Sequence, residues 1–203
     1  MFDYTIKSIL YNVWPMMIIV TVILVTLRLA YLLKRQEKFV FYKEVLALGF
    51  ALYVMLLFYV VTFQDVSWSS SNFIPFKEMF RYPFASFLFF KNVVGNMIMF
   101  LPYGFFVAYF LRLEKPLPAI LLSFVVSCTI ETTQLVIGRV FDVDDIMLNL
   151  LGGILGFYLY HFVTSIKNHL PKKLKRAWFY NIVVIVFLTV VFFYLYQLLK
   201  VGL

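Results

Sequence analysis

Charge is what this sequence has least of. Asp, Glu, Lys and Arg make up 14% of its 203 residues, where a soluble domain carries about a quarter. That shortage excludes a water-soluble monomer. Intrinsic disorder is excluded as well, because 64% of the residues are hydrophobic. The one cysteine, Cys128, can form no intrachain disulfide and no paired-cysteine zinc site. Neither a Gly-rich phosphate loop nor a Gly-x-Ser-x-Gly nucleophile occurs. What the chain does have is apolar bulk: 25 Phe, 14 Tyr and a mean hydropathy of +0.93. These values describe an integral membrane protein.

Crossing the hydrocarbon core takes about 20 mostly apolar residues. Six segments qualify: Trp14–Leu33, Glu44–Phe63, Val93–Arg112, Leu117–Ile137, Asp145–Val163 and Trp178–Leu199. Runs this long without period-2 alternation are helices, since only helices and closed barrels span a bilayer. The expected fold is all-α, a polytopic bundle of about six transmembrane helices. The N-terminal stretch lacks a basic n-region and a small-residue cleavage site, and reads as a retained anchor. Connectors are short except Gln64–Asn92, which carries Ser, Trp, Pro and the run Asn72-Phe73-Ile74-Pro75-Phe76.

The net charge of +8 could suit nucleic acid, but the basic residues sit at helix ends and in connectors, so no nucleic-acid partner is expected. Connectors after spans one, three and five hold eleven Lys and Arg, including Lys34, Arg35, Arg112, Lys115 and the Lys167–Arg176 cluster. The opposite side holds six. The positive-inside rule then places both termini outside the cytoplasm, with anionic lipid headgroups as natural neighbours of the basic connectors. Arg28, near the end of span one, can snorkel toward the more basic side.

Intramembrane polar residues carry the functional expectation. Ser123, Ser127, Glu131, Gln134 and Gly138 recur at helical spacing and read as one helix face. Asp142, Asp145, Asn149, Gly152 and Gly156 read as a seam of the next span, its glycines in G-x-x-x-G spacing. Asn92, Asn96, Phe100, Pro102 and Gly104 mark the third span, where Pro102 should kink the helix. Alternating topology brings these groups, with Arg139 and Asn72, to one membrane face, where a polar pocket is expected. A mid-span carboxylate such as Glu131 costs roughly 2.5–3.5 kcal/mol on insertion scales and marks a functional site by default.

Structural readings stand beside these. Arg139 could pair with Glu131 or an aspartate and staple three helices. Asp142 and Asp144 could be the N-cap and first-turn carboxylates of span five. Gly152 and Gly156 read as packing residues. Oxygen ligands from Glu131, Asp142, Asp145 and Asn149 would suit Mg²⁺ or Ca²⁺, but no spacing is diagnostic, and no metal or other cofactor is expected. His161 and His169 lie toward the other face, so a histidine base is not expected in the pocket.

The run from Gly138 through Asp145 leads into Asn149, Gly152 and Gly156. It follows Glu131-x-x-Gln134 and, earlier, Asn92, Asn96, Phe100, Pro102 and Gly104. With the Asn72–Phe76 run, these resemble the VanZ-like family of bacterial membrane proteins over residues 50–163. No departure from the pattern is seen at Glu131, Gln134, Arg139, Asp142, Asp145 or Asn149. The resemblance divides the chain into an N-terminal anchor and basic connector (1–43), a VanZ-like transmembrane core (44–165), and a basic connector with a last helix (166–203). It implies a bacterial cell-envelope protein, since the founding member is associated with low-level resistance to teicoplanin, a lipid-tailed glycopeptide acting on Gram-positive bacteria. It implies no reaction.

Two functions fit. In one, Asn72, Asn92, Asn96, Gln134, Arg139, Asp142 and Asn149 bind an amphiphile, such as a lipoglycopeptide or a lipid-linked cell-wall intermediate, alongside membrane lipids. In the other, Glu131 and Asp145 are acid and base of a membrane hydrolase or transferase acting on a lipid-linked substrate.

Overall fold

Apolar runs long enough to cross a bilayer satisfy their backbone internally, and the computed structural model shows them doing so as helices. It describes residues 2–63 and 71–200, so residue 1, residues 64–70 of the long connector and residues 201–203 lie outside the described residues. The elements are α1 (Phe2–Arg35), α2 (Phe41–Phe63), the short α3 (Phe87–Phe89), a π-helical turn (Phe90–Val94), α4 (Gly95–Leu111), α5 (Pro116–Val136), α6 (Val143–His169) and α7 (Ala177–Lys200). Six helical stretches are long and apolar enough to cross a membrane, with α3, the π turn and α4 counting as one. The all-α expectation holds, and among the described residues the only extended pairing is an isolated parallel bridge between Asn72 and Asp142.

Helix limits follow local chemistry. Pro116 opens α5, where its missing N–H has no helical partner to lose. Arg112 closes α4 with a left-handed φ of 52° and donates its amide to Ala108. Gly138, at φ 81°, sits just beyond α5, whose last turn is closed by Ile137 N–H donating to Thr133 O at 3.0 Å. Gly138 therefore ends the helix and does not continue its polar face. The helix α6 runs to His169, six residues past Val163, because Thr164, Ser165 and Lys167 are polar without being helix breakers. The third span starts earlier than Val93 and contains a π turn, while α4 passes through Pro102 unbroken.

The chain divides into two units. One contains α1, α2 up to Val60, and α7. Within it Arg28 meets Glu44 through Nε–Oε2 at 2.8 Å and a terminal nitrogen to Oε1 at 3.1 Å. Asn181 of α7 accepts the Tyr42 amide at 3.1 Å. The other unit, Val61–His169, contains α3 to α6, with α6 packed on both α4 and α5.

Glycines set the closeness of α4 to α6. A Cβ on Gly104 would run into the Gly153 backbone, and one on Gly152 or Gly156 would run into the Met97 or Leu101 carbonyl. Gly152 and Gly156 are thus packing residues, as their spacing suggests.

Candidate functional site

Along α5, Ser123 and Ser127 are fully buried and Glu131 is 2% exposed, one residue per turn on the same face. Gln134 lies one turn on, half-buried. Its amide nitrogen, turned toward Glu131, donates to Oε1 at 3.0 Å and Oε2 at 3.2 Å, and in the opposite orientation reaches the Val61 carbonyl at 3.3 Å. The buried carboxylate of Glu131 also accepts the Asp142 backbone N–H at 2.9 Å. An α5 side chain thereby fixes the approach to α6.

That approach is built from short-range polar geometry. Asp142 precedes α6 and caps it, its Oδ1 accepting the Asp144 amide at 2.9 Å. The same oxygen accepts Asn72 Nδ2 at 2.9 Å. Backbone bonds from Asn72 N to Phe141 O (2.8 Å) and Val143 N to Asn72 O (3.1 Å) complete the bridge. Burial pushes the Asp142 carboxyl above its ordinary value, against the lowering effect of Asn72 and the Asp144 amide.

Asp144 does more than sit in a first helical turn. It is 1% exposed and accepts the backbone amides of Phe76 (2.5 Å), Glu78 (2.7 Å) and Met79 (3.1 Å). Phe76 has a φ of 68°, a left-handed conformation unusual for a bulky side chain. One buried carboxylate thus holds a strained turn of the long connector against α6. The sequence offers Asp144 only as a first-turn carboxylate of span five, because the three amides it serves lie 65 to 68 residues away.

Deeper in the unit, Asn96 Nδ2 donates to Asp145 Oδ1, joining α4 to α6. Asn149, 4% exposed, donates to Ser127 Oγ at 2.9 Å, joining α6 to α5. Two atoms of this seam have no partner among the described residues: Ser123 Oγ and Asn149 Oδ1. Buried polar atoms of this kind call for an explanation, such as a bound water, ion or ligand group. Gly153 leaves room for Ser123, since a Cβ there would strike Ser123 Oγ.

Among the described residues Arg139 forms no ion pair, and its guanidinium donates instead to the Val61 carbonyl in the last turn of α2. The carboxylate staple is thus replaced by a backbone contact. Asn92 lies on the π turn, part-exposed, and its side chain makes no hydrogen bond to the other described residues. His161 binds the Leu113 carbonyl at 3.0 Å, sixteen residues and about 24 Å of helix from Asp145. Among the described residues no group of three or more His, Cys, Asp and Glu is placed to share a metal ion.

Of the nine expected site residues, eight make side-chain hydrogen bonds at the α5 end, the first turns of α6 or the segments that flank them, and Asn92 makes none among the described residues. The geometry can fix a polar group through carboxylates and carboxamides and contains no nucleophile–base pair of the Ser–His kind. No curated protein and no solved structure matches the chain. The VanZ/LLP1 family model matches residues 45–165, more than half of the sequence and close to the limits that the motifs suggest. With that match added to the Glu131, Arg139 and Asp142–Asp145 elements, the chain belongs to the VanZ/LLP1 family.

Proposed function

We propose that this protein binds an amphiphilic or lipid-linked molecule of the bacterial envelope through the polar cluster around Glu131, Asp145 and Asn149. By doing so it lowers susceptibility to teicoplanin-type lipoglycopeptides. The positive-inside count supports an orientation in which the cluster faces outward and both termini are extracytoplasmic. The observation that carries the reading is the pair of buried atoms with no partner among the described residues, Ser123 Oγ and Asn149 Oδ1, on the helix faces that also carry Glu131 and Asp145. Leaving such groups unpaired in an apolar medium is costly, and a ligand's polar head would offset that cost while its tail remains among lipid-facing helices. Binding is favoured over acid–base chemistry because Glu131 is already occupied by the Asp142 amide and Gln134.

The test is teicoplanin and vancomycin susceptibility in a sensitive Gram-positive host, comparing the natural chain with Glu131→Gln and Asp145→Asn at matched membrane abundance. Protection against teicoplanin that weakens in both variants supports the reading. No protection from the natural chain removes the antibiotic part of it.

A further inference from the structure

The connector ahead of α3 has one side bolted down and the other bare. Its inner side is held by Asp144, which takes three of its amides, and by the Asn72–Asp142 bridge. Phe73 also stacks on Phe141 at 5.2 Å. The outer side presents Phe80 at 81% and Phe84 at 88% exposure, with Ile74 and Phe76 also exposed. Lys77 and Arg81 alternate with these rings at the same four-residue step, and Lys91 follows one turn into the third span. Arg81 is paired with Glu78 at 2.9 Å, whereas Lys77 and Lys91 form no ion pair among the described residues.

Two attachments fix the level of this segment. It leads directly into the span starting at Phe87, and its bolt, Asp144, lies in the first turn of the span starting at Val143. The segment is therefore held at the end of two membrane-crossing helices, where the hydrocarbon meets the headgroups. Aromatic rings and basic side chains together are the composition of that layer: rings enter the acyl boundary and cations meet lipid phosphates.

We infer that residues 73–84 form a membrane-interface wedge whose occupant is anionic phospholipid, with Phe80 and Phe84 inserted at the acyl boundary and Lys77 and Arg81 against headgroup phosphates. The charge of the segment favours lipid over a second copy of the chain: its one acid, Glu78, is held by its own Arg81, which leaves Lys77 and the following Lys91 to repel their counterparts across such an interface. Asp144 is the positioning residue, since it sets which side of the turn faces outward. This inference stands independently of what the polar cluster binds.

The test uses the full chain carrying Cys128→Ser, with a nitroxide label at Phe80→Cys or, separately, Phe84→Cys. Both replaced rings touch little protein. In vesicles rich in phosphatidylglycerol, relaxation of the label by oxygen should exceed relaxation by a water-soluble nickel chelate several-fold. Adding Lys77→Gln and Arg81→Gln, or moving to phosphatidylcholine alone, should shift that ratio toward water. Strong relaxation by nickel overturns the inference in favour of an aqueous loop. A label shielded from both reagents overturns it in favour of a protein partner. A ratio indifferent to the basic residues and to lipid charge overturns the anionic-lipid assignment.

Discussion

The helices α2 and α6 are both long enough to cross a membrane, yet they are built in opposite ways. Among their described residues, α2 has a single buried side chain, Leu57, and α7 has none, whereas α6 buries eight residues. The less apolar helix is thus the more buried one: α6 turns Asp144, Asn149 and two close-packed glycines into its unit, while most apolar side chains of α2 and α7 stay at least partly exposed. Inside a bilayer, apolarity gives little drive for helix association, and small residues and hydrogen bonds take that role. In this chain polarity therefore marks the interior, and the site is found by asking which helices are less apolar.

The largest expected effect comes from closing the gap between α4 and α6. Gly152→Leu places its Cβ on the Met97 carbonyl and should destabilise the fold by about 3 kcal/mol. Gly49→Ala in α2, where a Cβ meets nothing, should change stability by less than about 1 kcal/mol, in the favourable direction. Thermal unfolding in detergent checks both, and equal losses would break the contrast between the two kinds of helix.

Next in size is Asp144→Ala, which leaves the Phe76, Glu78 and Met79 amides without their acceptor. The expected cost is roughly 3 kcal/mol, concentrated in the connector. Hydrogen exchange should accelerate at those amides and remain slow in α5. A smaller effect sharpens the distinction between packing and function: Asn149→Leu combined with Ser127→Ala removes both partners of a buried bond, so stability should stay within about 1 kcal/mol while teicoplanin protection is lost. Retained protection would reduce the seam to a packing device.

The smallest effect is on pH dependence. Because burial raises the Asp142 carboxyl in the folded chain, the folded state holds its proton more tightly than the unfolded state. Stability contributed by this group is present below the ordinary carboxylate range and is lost as pH rises through the raised value. Asp142→Asn keeps the Oδ1 that serves Asn72 and Asp144, so it should flatten that part of the stability–pH profile without lowering stability at neutral pH.

Much of this arrangement is legible in the sequence because span length and helical spacing are local properties. Ser123, Ser127 and Glu131 share a face simply by being four residues apart, and Gly152 with Gly156 announces a close approach. Where tertiary geometry decides, the sequence is silent. Gly138 looks like the next residue of the α5 face, yet its left-handed backbone ends the helix. Arg139 invites a carboxylate partner, yet it meets a carbonyl of α2 from 78 residues away. The π turn before α4 has no hydropathy signal, because it changes one hydrogen-bond step and not the apolar content.

The central claim, that the less apolar helices hold a ligand through the Glu131 seam, is tested most directly by teicoplanin binding to the purified chain in lipid nanodiscs. The account predicts saturable binding by the natural chain and by Gly49→Ala, with at least a tenfold loss, about 1.4 kcal/mol, in Glu131→Gln. Undiminished binding in Glu131→Gln, or equal loss in Gly49→Ala, would contradict it.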